Sequence, residues 1–401
     1  MGQRSSSLES LFDMGRRVAI GLCLFLLMGS LVPAPALAAP TCFGKAATIV
    51  GTSGKDQLIG TRGDDVIVGL GGPDYIHGKA GDDLICGGPT QGKRFRGQEI
   101  LVGGPGNDRI SGGRGREQTI GGEGHDTLSG GPGRDVLWGN NGNDRLVGGP
   151  GYDALYGEAG DDRLIGGRGY DTLFGGLGDD RLVGGNDGRY GDWAFFDKGR
   201  GGLPGVVVDL AAGTATGQGS DRLSGIENVL GSRRDDVISG DGGDNWLEGN
   251  DGADELAGRG GDDCLSTFYD NDRDVIDGGD GTDAFTAHLA CAPQPPANLP
   301  IPAPFPGSGV IVDLADGSVT RFGDDSAPDE LIGIENVYGT SVNDTLIGDD
   351  GPNELYGLNG NDDLRGAGGD DLLDGGNNTD SADGGDGTDS CVNAEAMVAC
   401  E

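Results

Sequence analysis

Gly130-Gly131-Pro132-Gly133-Arg134-Asp135-Val136-Leu137-Trp138 is one of nine consecutive copies of a nonapeptide, Gly-Gly-x-Gly-x-Asp-x-Leu-x, that fill Gly103 to Val183 without a slip. Position 8 is Ile110, Leu128, Leu137, Leu146, Leu155, Leu164, Leu173 or Leu182, and only Thr119 breaks the series. A period this short, with one large apolar residue per copy, cannot be a helical array and reads as a strand-and-turn solenoid. With position 8 inward, the period of two along a strand turns positions 7 and 9 outward. Arg109, Arg145, Arg163, Arg181, Trp138, Tyr156 and Phe174 are therefore assigned to the surface.

Glycines at positions 1, 2 and 4 allow the turn, because a Cβ there would obstruct the backbone angles or close approaches it needs. Asp at position 6 enters the next strand with its carboxylate aimed back over that turn. Two nonapeptides make one coil, so Asp residues eighteen apart stack on one edge at roughly 4.8 Å. Half of that spacing is about one calcium–oxygen distance. Bare stacked carboxylates would repel by about 1 kcal/mol per pair even in water. One buried aliphatic side chain per nine residues cannot offset the entropy of ordering them. The repeats are thus expected to need calcium between successive turns and to be disordered without it. Position 5, as at Asn143 and His125, is expected to point to solvent.

Composition fits such a chain. Gly supplies 85 of 401 residues, aromatics 5 %, and Lys+Arg 28 against Asp+Glu 66 leaves a net charge of −38. These values describe a disordered chain, except that the acids recur at one repeat position instead of lying in blocks. The acidity argues against nucleic acid, since no basic stripe is evident to neutralise phosphates.

Arg16-Arg17, the apolar run Val18 to Val32 and the small-x-small site Ala36-Leu37-Ala38 describe a secretory signal peptide, with Ala39 as the mature start. Glu9 and Asp13 are out of place in a positive leader, which makes Met14 an alternative initiator. No later stretch approaches the ~20 apolar residues that span a bilayer. Removing Cys23 leaves Cys42, Cys86, Cys264, Cys291, Cys391 and Cys400, an even number that suits an oxidising compartment. Of the fifteen connectivities we favour sequence neighbours, Cys42 with Cys86, Cys264 with Cys291 and Cys391 with Cys400, each clamping an end or an interruption. No CxxC or paired-His spacing suggests zinc.

A longer repeat organises the rest. Gly205-Val206-Val207-Val208-Asp209-Leu210 returns as Gly309-Val310-Ile311-Val312-Asp313-Leu314, and Gly225-Ile226-Glu227-Asn228-Val229 as Gly333-Ile334-Glu335-Asn336-Val337. The organisation read from this is a signal peptide over 1–38, an N-terminal cap over 39–50 and a first calcium roll over 51–196. A β-rich, metal-poor segment over 197–230 leads to a second roll over 231–286. A Pro-rich linker over 287–308 and a β-rich segment over 309–338 precede a third roll over 339–390, and a disulfide cap over 391–401 ends the chain.

Most of residues 51 to 392 resembles the repeat-in-toxin, or haemolysin-type, calcium-binding repeat family. The resemblance implies an all-β, right-handed parallel β-roll with multiple calcium ions held by Asp and turn carbonyls on both edges. The ligands it implies are Asp56, Asp65, Asp74 and Asp83 in the first four copies, then Asp108, Asp126, Asp135, Asp144, Asp153, Asp162, Asp171 and Asp180. In the later rolls they are Asp236, Asp254, Asp263, Asp344, Asp362 and Asp371, with Asn245 and Asn353 offering a neutral oxygen. Toxins of this family commonly carry an uncleaved C-terminal export signal and few cysteines. An N-terminal signal and six cysteines look more like exported calcium-binding proteins of actinobacterial type.

Glu99 and Glu117 replace Asp on one edge, beside the insertion Thr90 to Arg96. We expect Lys93, Arg94, Arg96, Arg114 and Arg116 to neutralise them in place of calcium. Catalysis has little support. His77, His125 and His288 form no HExxH, no GxSxG occurs, and Asp270-Asn271-Asp272-Arg273-Asp274 has Val275 where an EF-hand loop needs Gly. The expected function is a secreted calcium-binding structural protein that is not an enzyme. The alternative is a surface or matrix adhesin that binds cell-wall or matrix polysaccharide, or a partner, through the outward face.

Overall fold

The computed structural model describes residues 39–89, 98–186, 191–196, 204–267, 272–287, 309–322 and 327–400. Among them every regular element is a strand, and no helix is long and apolar enough to cross a membrane. The signal peptide expected over 1–38 and, but for Ala287, the linker expected over 287–308 lie outside the described residues.

Successive nonapeptides alternate between two sheets. The first sheet runs through sixteen parallel strands from Gln57–Ile59 to Ser390–Val392. The second begins at Ile49–Val50 and ends at Ala396–Val398. Their register steps by one coil: Leu137 lies against Leu155 and Leu173 in the first sheet, Leu128 against Leu146 and Leu164 in the second. Position 8 is therefore the core, and Leu101, Leu128, Leu137, Leu146 and Leu155 are fully buried in one continuous cluster. Thr119 is equally buried between Leu101 and Leu137, and its hydroxyl has no hydrogen-bond partner. A hydroxyl that leaves water without a new partner destabilises the fold.

The longer repeat does not interrupt the coil. In the second sheet Arg181–Asn186 pairs in parallel with Ser220–Ser224. That strand turns back antiparallel onto Thr214–Thr216, which pairs antiparallel with Val207–Asp209. Val207–Asp209 then continues in parallel with Val237–Ser239. The same meander recurs with Asp329–Ile332, Ser318–Arg321 and Val310–Asp313, between Val275–Asp280 and Thr345–Ile347. Meanwhile the first sheet passes straight from Trp193–Phe195 to Asn228–Leu230 and Trp246–Glu248. Two strands are inserted in one sheet only, and residues 40–401 form one compact unit.

Positions 7 and 9 split by sheet. On the second sheet Arg109, Arg145, Arg163 and Arg181 are exposed, as expected. On the first sheet Trp138 and Tyr156 are half-buried and stack with ring centroids 5.6 Å apart. Phe174, expected on the surface, is buried. It joins Tyr170, Trp193, Phe195 and Trp246 in a second apolar cluster on the outer side of this sheet, because aromatic residues occupy positions 7 and 9 of successive coils there.

Cys42 and Cys86 are bridged with Cα atoms 5.7 Å apart, tying the N-terminal hairpin to the strand Leu84–Pro89. Cys391 and Cys400, Cα atoms 5.6 Å apart, close the last coil. Cys264 is also disulfide-bonded, and its expected partner Cys291 lies outside the described residues.

Candidate metal centre

Position-6 carboxylates form one column on each edge, and outside Asp74 and Glu99 a hydrogen bond from the backbone N–H fixes each to the next. On the edge leading into the second sheet, the Asp126 N–H donates to Asp144 Oδ1 at 2.7 Å and the Asp144 N–H to Asp162 Oδ1 at 2.7 Å. On the other edge the Asp135 N–H donates to Asp153 Oδ1 at 2.7 Å. The columns pass through the later insertions: Asp171 to Asp192, Asp180 to Asp221, Asp254 to Asp274, Asp274 to Asp329, and Asp283 to Glu335. The third roll adds Asp380 and Asp389. Sequence reading missed Asp192, Asp221, Asp274, Asp329 and Glu335 because loops stretch the spacing of eighteen to 21, 41, 20, 55 and 52; Asp380 and Asp389 keep the spacing of eighteen and were legible there. Asp221 and Asp329 also place column members inside segments read as metal-poor.

What the second oxygen does divides the turns into two kinds. In Asp74, Asp83, Asp108, Asp126, Asp144, Asp153, Asp162, Asp180, Asp263, Asp362 and Asp371 the Oδ2 is buried without a hydrogen-bond partner. Position 2 of all these turns is left-handed, as at Gly122 with φ +141° and at Lys79 with φ +92°. The Lys79 N–H is taken by a turn carbonyl of the next coil, Gly103 O at 2.9 Å. Asp135 belongs with this group: its Oδ2 is buried without a partner, Gly131 is left-handed, and the Gly131 N–H donates to the Gly148 carbonyl at 2.9 Å.

Asp56, Asp65, Asp236, Asn245, Asp344 and Asn353 behave otherwise. Their turns open the three rolls, and position 2 is Thr, Ser or Asp outside the left-handed region. That N–H points inward: Thr52 to Asp56 Oδ2 at 2.6 Å, Thr61 to Asp65 Oδ2 at 2.6 Å, Asp241 to Asn245 Oδ1 at 2.8 Å, and Asp349 to Asn353 Oδ1 at 2.9 Å. Ser232 and Thr340 bond Asp236 and Asp344 through both N–H and hydroxyl. The position-2 side chain completes a local turn of its own, with the Gly63 N–H on Thr61 Oγ1 and the Gly243 N–H on Asp241 Oδ1. Asn245 and Asn353 spend their Nδ2 on the Glu227 and Glu335 carbonyls, 2.9 Å away. These six side chains, implied as ligands by the resemblance, are satisfied by protein donors. The signal was in the sequence: Thr, Ser or Asp at position 2 in place of Gly.

The stacked turns fit a hard cation. Asp126 Oδ2 and the Gly139 carbonyl of the next coil close on one space beside Gly121, which a Cβ would fill. No three His, Cys, Asp or Glu side chains converge among the described residues. An ion between coils must therefore complete its shell with backbone carbonyls, which calcium accepts in its six to eight oxygen ligands. Burial, opposed by the backbone N–H bond, pushes Asp108, Asp144 and Asp180 up to about 7 and Asp153 and Asp162 up to about 8. Neighbouring carboxylates add to that rise. A cation between the coils would reverse both effects.

Glu99 and Glu117 lie side by side in register, are buried, and have no hydrogen-bond partner for either carboxylate oxygen. Burial raises both, Glu99 to about 8. No ion pair joins them to Arg114 or Arg116 among the described residues, and Arg116 is exposed. The expected pairing with those two arginines is not seen; Lys93, Arg94 and Arg96 lie outside the described residues. The Glu99 N–H turns instead to the Arg116 carbonyl at 3.3 Å.

Position 5 is not idle either. On the edge leading into the second sheet, each side chain accepts the N–H of position 5 one coil later. Asn107 accepts from His125 at 2.7 Å, His125 Nδ1 from Asn143 at 2.8 Å, and Asn143 from Asp161 at 3.1 Å. These side chains are exposed, as expected, and the outer ladder is an addition to that expectation.

No curated protein matches the chain significantly. One similar solved structure is the X-ray crystal structure of a hyperactive, Ca2+-dependent, β-helical antifreeze protein from an Antarctic bacterium, at 15 % identity over 85 % of this chain and 83 % of that one. Its TM-score of 0.23 carries no argument. The profile of the RTX calcium-binding nonapeptide repeat matches residues 48–88, 95–128, 120–155, 156–188, 230–264, 338–373 and 356–391. That is more than half of the 401 residues, and the chain belongs to this family of calcium-binding repeats.

Proposed function

We propose that the protein is a secreted structural protein whose roll folds on meeting calcium outside the cell. The observation that carries this reading is the column of buried Oδ2 atoms without donors, repeated coil after coil on both edges. A roll so built is held apart by its own charge until cations enter, and binding only the folded state stabilises it by mass action. The disulfides suit an oxidising exterior, and the leader pattern over 1–38 supplies a route there. We assign the protein no catalytic role.

Calcium titration of the chelated, disulfide-intact protein, followed by circular dichroism, tests it. A coil spectrum should become β-type with calcium, and magnesium should substitute poorly because it demands tighter octahedral geometry. A compact β-rich form that persists in excess chelator would overturn the reading. N-terminal sequencing of exported protein should begin at Ala39. The adhesin reading gains support from one feature of the second sheet, its column of unpaired arginines.

A further inference from the structure

Register places Arg109, Thr127, Arg145, Arg163, Arg181 and Arg222 in one column across six adjacent coils of the second sheet. Their spacing is roughly 4.8 Å per coil. All five arginines are exposed. Arg109 lies over the Phe43 ring, 4.0 Å from its centroid, and among the described residues none of the five forms an ion pair. Three outward arginines elsewhere are paired: Arg259 with Asp209 at 2.9 Å, Arg273 with Glu330 at 2.5 Å, and Arg365 with Asp363 at 2.5 Å. The same outward position in later coils is Val237, Glu255, Val275 and Glu330. A chain of net charge −38 thus keeps one outward column of arginines. The position-6 aspartate that precedes each of them is buried, and Asp161 and Asp179 stand on the turn edge and accept backbone N–H bonds.

Beside the arginines runs a second column, Ser111, Ser129, Val147, Ile165, Val183 and Ser224, whose Val147, Ile165 and Val183 are half-exposed. The arginine column ends at a cleft of about 520 Å³ lined by Arg181, Arg222 and the meander strand Thr214–Thr216 together with Asp179, Asp180 and Asp221, so the docking surface is the open column before this cleft. We propose that this face docks a linear acidic polysaccharide lying along the roll axis. Each guanidinium fork meets a carboxylate or sulfate with two hydrogen bonds, and the aliphatic column packs against the apolar faces of the sugar rings. Duplex nucleic acid fits less well: it carries one charge per ~1.7 Å and reads proteins through grooves that a flat sheet cannot enter. At physiological salt the acidic edges are screened beyond about 8 Å, so the column acts locally. The inference rests on the calcium-folded roll, since the register alone aligns the arginines.

The test is calorimetric binding of dextran sulfate to the full chain in calcium, with plain dextran and single-stranded DNA as further arms. Dextran sulfate should bind in a salt-sensitive way and plain dextran should not. The R145S/R163S/R181S variant should lose roughly tenfold to hundredfold in affinity, and Arg365→Ser should leave it unchanged. Wild-type affinity in the triple variant with a normal β spectrum would overturn the proposal, as would equal binding of plain dextran or of single-stranded DNA. A coil spectrum in calcium would instead sink the folding reading and remove this face with it.

Discussion

The turns that open each roll and the turns stacked inside it carry the same position-6 residue and use it in opposite ways. In an opening turn the residue at position 2 keeps an ordinary backbone conformation, and its N–H closes on the carboxylate, as Thr61 does on Asp65. In a stacked turn position 2 is left-handed, its N–H joins the next coil, and the carboxylate is left with one lone oxygen, as in Asp126 and Asp144. The difference teaches that whether an Asp in this repeat keeps an oxygen without a protein donor depends on what its neighbour four residues earlier does with an N–H.

The sharpest way to break this contrast is to remove one carboxylate of each kind. Asp144→Ala should lower calcium stoichiometry and cost about 3 kcal/mol in saturating calcium, because a ligand and the acceptor for the buried Asp126 N–H go together. Asp65→Ala should leave stoichiometry unchanged and cost about 1 kcal/mol, the loss of a turn cap. Equal stoichiometry losses by calorimetry would erase the distinction.

A second prediction uses pH. Asp108, Asp144, Asp153, Asp162 and Asp180 stand at about 7 to 8 in the calcium-free fold, above the ordinary 3.8. The folded state therefore binds protons more tightly than the unfolded one. Their contribution is fully present below about pH 4 and is lost as pH rises through 7 to 8. Without calcium, acidification from pH 8 to pH 4.5 should increase β content. With calcium the order should reverse, since protons compete for the same oxygens. The same pH trend by circular dichroism in both conditions would contradict a shared carboxylate site.

Smaller effects sharpen the comparison. Asn143→Ala should cost about 1 kcal/mol through the outer ladder without changing calcium stoichiometry; a neutral result in thermal unfolding would mean the ladder adds nothing to stability. Thr119→Val should raise stability by about 1 kcal/mol by removing a buried hydroxyl that has no partner, and a lower melting temperature would mean the hydroxyl is satisfied.

Much of this was legible before any coordinates. The unbroken column of position-8 residues from Ile110 to Leu182 dictated a two-sheet coil, and the eighteen-residue step of Asp135, Asp153 and Asp171 dictated which carboxylates share an edge. Two of the expected disulfides follow the same logic, since a roll needs closing at its ends. Phe174 was misplaced because alternation says which side of a strand a residue faces, not whether something packs on that side. Asp192, Asp221, Asp274 and Asp329 were invisible as column members because a loop of any length can sit between two stacked turns without disturbing the stack.

The sequence by itself determined the repeat, the inward residue, the acidic edges and the need for a cation, because each follows from a local period and from charge. Tertiary structure alone decided which aspartates are left with an unsatisfied oxygen and that five arginines align on one face. Both depend on backbone conformation and on register between residues up to 41 apart, which no local pattern encodes.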